Sequence, residues 1–189
     1  MKRAVIVAVL FLAPAIAGAQ MQMGMNFGMR HRPDAGDGGS VWGTQFEGMM
    51  IFPKGRVSHE VLGAFVQMRN RDAGGFNVRE NSVEASYLLR YSLTGGWGVS
   101  AGPAIGASLG CTAGGTHSTT YGFTSCVDTF ADKGTIRPGY TVQLDFAHSN
   151  SRGVTFRLGA RVTGHTVASG DALPKPVLWG GFSAPLNSR

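Results

Sequence analysis

The sequence predicts an all-β fold: a single up-and-down antiparallel barrel of eight strands. Three observations carry this. Glycine supplies 29 of the 189 residues, about twice its usual share of roughly 7%. It shows no collagen period, and at a cost of about 1 kcal/mol per helical position it disfavours helix-rich folds. Apolar residues then alternate with small or polar ones over runs of about 10 to 13 residues, longer than the roughly 5–6 of a globular strand and close to the 9–11 of a tilted bilayer-spanning strand. Finally, the connections between runs are short and long in turn. Hydrophobic residues make up 43% and charged residues 15%, which excludes intrinsic disorder and leaves little charge for a fully solvated surface.

The chain divides into residues 1–19, a signal peptide, and residues 20–189, the barrel. Lys2 and Arg3 form a positive start, Ala4 to Ala17 is an apolar run, and Ala17-Gly18-Ala19 fits the small-x-small cleavage rule. The apolar run is too short for a membrane-spanning helix, which needs about 20 residues. The only cysteines are Cys111 and Cys126, so no lipid-anchor cysteine lies near the cleavage point.

The first expected strand, 20–31, alternates Met21, Met23, Met25, Phe27 and Met29 with Gln22, Gly24, Asn26, Gly28 and Arg30. Thioethers are soft ligands, so a copper(I) site is the alternative to a strand. Residues 40–52 carry Trp42, Phe46, Met50 and Phe52 on one face and Gln45 and Glu47 on the other. Residues 56–68 alternate least cleanly. In 82–93, Val83, Ala85, Tyr87, Leu89 and Tyr91 oppose Ser82, Glu84, Ser86, Leu88 and Arg90. In 97–109, apolar odd positions from Trp97 to Leu109 oppose small residues from Gly98 to Ser108. Residues 138–148 set Tyr140, Val142, Leu144 and Phe146 against Thr141, Gln143 and Asp145. Residues 153–164 set Phe156, Leu158, Ala160 and Val162 against Arg157, Gly159, Arg161 and Thr163, and 176–186 is the last strand. Residues 53–55, 94–96 and 149–152 read as short turns, and 32–39, 69–81, 110–137 and 165–175 as long polar loops.

Long loops at one end and short turns at the other are the pattern of a transmembrane barrel, whose short turns are periplasmic. The apolar faces then meet lipid, with Trp42, Tyr87, Tyr91, Trp97, Tyr140 and Phe146 as its aromatic girdle. The inward faces carry Glu47, Glu84 and Asp145 against Arg90, Arg157 and Arg161. Eight strands leave an interior that side chains just fill, and an unpaired buried charge is costly. The expectation is therefore an ion-paired, plugged lumen, with the small face of 98–108 making room for arginine.

On these features the mature chain resembles the small eight-stranded outer-membrane barrels of Gram-negative bacteria, the OmpA-like or opacity-like group. The resemblance implies an outer-membrane location, lipid and the barrel assembly machinery as partners, no cofactor, and a non-enzymatic structural or adhesin-like role through the outer loops. Such barrels usually end on an aromatic residue; here Phe182 is the nearest aromatic to an end reading Leu186-Asn187-Ser188-Arg189.

Cys111 and Cys126 are expected to form a disulfide, as nearby cysteines do in an oxidising compartment. A metal site is the alternative, with only His117 close in sequence. Closing this loop of about 15 residues contributes roughly 3 kcal/mol on the chain-entropy model. It makes loop 110–137 the expected contact surface for a surface ligand. A second functional class is a lipid-modifying hydrolase similar to the lipid A deacylases. It rests on His148-Ser149-Asn150, but adjacent strand residues point to opposite faces and no Glu follows Glu84. A third is a soluble exported ligand-binding barrel, which would have to bury the aromatic faces. His31, His59, His117, His148 and His165 share no metal-ligand spacing. The net charge of +6 includes Lys2 and Arg3. With no basic run, no nucleic-acid partner is expected.

Overall fold

The computed structural model describes residues 21–32, 41–71, 77–114, 136–165 and 175–186. The expected signal peptide, Cys126 and most of loop 110–137 lie outside these residues. Eight strands follow in order: β1 (Gln22–Arg32), β2 (Val41–Lys54), β3 (Val57–Arg71), β4 (Asn77–Ser92), β5 (Trp97–Gly114), β6 (Ile136–Ser149), β7 (Thr155–His165) and β8 (Lys175–Pro185). Each pairs antiparallel with the next, and β8 pairs with β1 to close the barrel.

Closure follows from the alternation. Each strand presents apolar side chains to one side and small or polar ones to the other, and an up-and-down order leaves no edge unpaired. Tracing directly paired residues from Arg30 passes through Val177, Arg161, Gln143, Ser100, Arg90, Ser58 and Pro53. Pro53 lies beyond Ile51, the partner of Gln22 at the start of β1. The path therefore descends the barrel instead of returning to Arg30. That stagger is what tilted strands need in order to close.

Four strands reach further into the two longest expected loops than the sequence indicated. β3 continues to Arg71, β4 begins at Asn77, β5 continues to Gly114 and β6 begins at Ile136. Strand pairing therefore takes up 69–71, 77–81, 110–114 and 136–137 of the expected loops 69–81 and 110–137. The polar residues of these extensions weaken the apolar alternation, so periodicity alone ends the strands early. A register shift between Asn81 and Ser82 marks where β4 and β5 accommodate the extra length.

The opposite end is built from tight turns. Gly55 and Gly153 take positive φ (65° and 78°) where the chain reverses. Between β4 and β5 a short 3-10 turn covers Thr94–Gly96. In the β6–β7 turn, Asn150 Oδ1 accepts from the backbone N–H groups of Arg152 (2.9 Å) and Val154 (3.0 Å).

Candidate functional site

The polarity of the wall is inverted relative to a soluble barrel. Outside, Phe27, Leu158, Val142 and Leu178 are 60%, 68%, 52% and 65% exposed. Inside, Asn26, Arg30, Glu47, Glu60, Thr141, Gln143, Asp145 and Arg161 are buried. Closed pairing keeps the strand ladders within the wall, as backbone held in hydrocarbon requires.

Eight inward charges form one connected system. At the loop-side end, Arg30 makes a two-pronged contact with Glu84, Nη1 to Oε1 at 2.5 Å and Nη2 to Oε2 at 2.6 Å. Arg30 Nε donates to Gln45 Oε1 (3.1 Å), and Gln45 donates to Glu47. Glu47 pairs with Arg161 and accepts from Asn26 Nδ2 (2.9 Å). Arg161 Nε donates to Gln143 Oε1 (2.9 Å), whose amide reaches Asp145 Oδ1 (3.3 Å). Asp145 accepts from Arg90 Nη2 (2.8 Å) and Arg157 Nη2 (3.0 Å). Glu60 completes the turn-side end, 3.0 Å from Arg157 Nη1 and 3.9 Å from Arg90 Nε.

Four carboxylates and four guanidiniums thus balance within this network. All six charges anticipated from the sequence point into the lumen and sit in it, joined by Arg30 and Glu60. Lys175 is buried as well. Glu60 was hidden because its strand is apolar on its inward side as well: Leu62, Ala64, Val66 and Met68 follow it there, all buried. Arg30 stands on the polar side of β1, the segment for which a copper(I) site was the alternative to a strand.

Small residues make the room. A Cβ on Gly98 would run into the guanidinium of Arg90, and one on Gly181 into Asn26. The indole of Trp179 is also inside, 3% exposed, with the guanidinium carbons of Arg157 and Arg161 each 5.3 Å from its ring centroid. Both arginines therefore gain a cation–π contact as well as carboxylate partners.

Of the anticipated girdle, Trp42, Tyr91, Trp97, Tyr140 and Phe146 are exposed on the outer wall, while Tyr87 is half-buried. Tyr87 Oη lies 2.5 Å from His59 Nδ1 across the β3–β4 ladder. Trp97 packs edge-on against Phe146, its register partner, at 5.6 Å near the turn end. Trp42 stands against His31 at 4.7 Å toward the loop end. Met23, Met25 and Met29 lie on the outer face of β1, with Met50 opposite Met23. That is the strand reading of the methionine segment.

His148 and Ser149 are exposed at the turn end of β6, and Ser149 Oγ is 2.8 Å from Thr155 Oγ1. The Asn150 side chain is engaged in the turn itself. These three residues do turn chemistry, as their alternation between faces implies. No group of three or more metal-ligating side chains occurs among the described residues.

No family model matches the sequence, and no curated protein matches it. The fold has counterparts among solved structures. The crystal structure of Neisserial surface protein A (NspA) aligns with 89% of this chain and 98% of its own at a TM-score of 0.58 and 12% identity. The backbone structure of the Yersinia pestis outer membrane protein Ail in a phospholipid bilayer nanodisc aligns with 86% of this chain and 98% of its own at a TM-score of 0.48 and 14% identity. The chain thus shares the architecture of small eight-stranded outer-membrane barrels such as NspA, a likeness of fold.

Proposed function

We propose that this chain is a non-enzymatic outer-membrane barrel whose lumen is plugged by ion pairs and whose loops make its contacts at the cell surface. The observation that carries the reading is the inverted wall: an apolar belt all around the outside, enclosing a charge-balanced polar network. A water-exposed barrel gains nothing from displaying Phe27, Leu158 and Leu178, whereas in a bilayer these side chains face hydrocarbon. The paired lumen suits a scaffold rather than a pore, because the linked carboxylates and guanidiniums block the middle of the narrow interior an eight-stranded barrel leaves.

On this reading residues 1–19 direct export, Trp42, Tyr87, Tyr91, Trp97, Tyr140 and Phe146 lie along the lipid-facing wall, and a Cys111–Cys126 disulfide braces the longest loop. That loop is the contact surface for a ligand outside the cell, and outer-membrane lipid and the barrel assembly machinery are the further partners. The test is fractionation with heat-modifiability. The full chain, expressed with its leader in a Gram-negative host, is expected to stay in the outer-membrane pellet after carbonate washing. It should also migrate differently on gels before and after boiling. Recovery in the soluble periplasmic fraction would overturn the reading.

A further inference from the structure

The charge network does not fill the lumen to its turn-side end. Below it lies an open cavity of about 250 Å³. This is smaller than the roughly 300–1,000 Å³ of sites for drug-sized ligands, so it suits a single small ring. Its wall includes the polar side chains Gln22, Ser58, Ser92, Ser149, Thr155 and Ser183, which come from six different strands. Hydroxyl groups both donate and accept, so such a collar matches a ligand that itself carries several hydroxyls.

The charges around the cavity are biased. Arg90, Arg157 and Glu60 lie on its wall, while Asp145, the partner of both arginines, does not. Arg90 is held by Asp145 through Nε and Nη2, and its Nη1 donates to Ser92 Oγ at 2.8 Å, placing a guanidinium edge and a hydroxyl side by side on the wall. At the same end of the barrel, Lys54 at the end of β2 and Arg56 and Arg152 in the turns are exposed, close in sequence to the wall residues Gly55 and Ser149. The acidic side chains described in the structure, Glu47, Glu60, Glu84 and Asp145, are all buried. A cleft whose mouth carries one sign of charge concentrates ligands of the other sign.

We propose that this turn-side vestibule binds a small hydroxylated carboxylate, a sugar acid in size and chemistry. The carboxylate meets the Arg90–Ser92 edge, and the ring hydroxyls meet the collar. The inference concerns the folded barrel itself and does not depend on which membrane holds it.

The test uses the full mature chain refolded in detergent micelles, titrated calorimetrically with glucuronate, glucose and inorganic phosphate. Glucuronate is expected to bind at least about tenfold more tightly than glucose, the equivalent of one charge-assisted hydrogen bond, and more tightly than phosphate. Ser92→Ala and Ser58→Ala should weaken glucuronate binding about threefold or more while the gel shift of the folded barrel is unchanged. Lys54→Gln with Arg152→Gln should weaken it and flatten its salt dependence. Equal affinity for glucose and glucuronate, phosphate binding as tightly as glucuronate, or no binding of glucuronate would each overturn the proposal. So would unchanged affinity in the serine variants.

Discussion

Trp179 stands directly opposite Gly159 across the β7–β8 ladder, and its indole fills the space a side chain at 159 would need. A Cβ there would lie 2.9 Å from Trp179 Cζ2, 2.9 Å from Asp145 Cβ and 2.6 Å from the Leu144 carbonyl oxygen. The missing side chain lets the ring lie between Arg157 and Arg161, two residues to either side on the same strand. One glycine, one indole and two guanidiniums are therefore a single packing unit.

From this relationship we expect Gly159→Ala to destabilise the barrel by about 1–3 kcal/mol, the cost of overpacking a filled interior. Two of the three close neighbours are a backbone oxygen and a Cβ, which cannot swing aside. Trp179→Phe should recover part of the loss in the double variant, because the smaller ring yields space. Urea unfolding midpoints of the single and double variants, read as a cycle, check the coupling.

The Arg30–Glu84 pair gives a second expectation. Removing one partner leaves the other charge buried alone, a loss of about 3–5 kcal/mol. Arg30→Met and Glu84→Leu should each lower the unfolding midpoint strongly. Replacing both together should return much of the stability, since a buried pair and an apolar pair of similar volume are often close in free energy. Additive losses in the double variant would show that the two residues act independently.

The limits of reading these features from sequence are physical. Period two reveals a strand where its two faces differ, as in β4 and β6, and there the inward charges Glu84, Arg90 and Asp145 were legible. In β3 both faces are apolar over much of the strand, so Glu60 carries no visible pattern. In β8, Val177 and Trp179 point inward while Leu178 and Phe182 point outward, and the buried indole is invisible to a hydrophobicity count. Which charges pair depends on the stagger of the closed barrel. Glu47 and Arg161 are far apart in sequence and on strands that are not neighbours, and only closure brings them together.

The cysteine pair makes a third expectation, on the loop side. Unfolded but unreduced mature chain should resist thiol alkylation, and reduction should expose both Cys111 and Cys126. Cys111→Ser and Cys126→Ser should each cost roughly 3 kcal/mol if loop closure in the unfolded chain dominates. Alkylation of the unreduced chain would show that no disulfide had formed.

The sharpest distinction between a lipid-facing and a water-facing wall comes from adding charge to it. Val142 is 52% exposed on the outer face of β6, between Ala101 and Val162 in register and well inside the strand. Val57 is 38% exposed at the turn end of β3. In a bilayer, arginine at mid-depth costs about 2–4 kcal/mol, falling to about 0–1 near the interface. On a water-exposed wall both substitutions should stay within roughly 0.5 kcal/mol, as most surface changes do. Val142→Arg should therefore be far more destabilising than Val57→Arg when folding is measured by urea titration in phospholipid vesicles. Similar small effects at both positions would mean that the outer wall does not face lipid. The apolar belt would then need a protein partner to cover it.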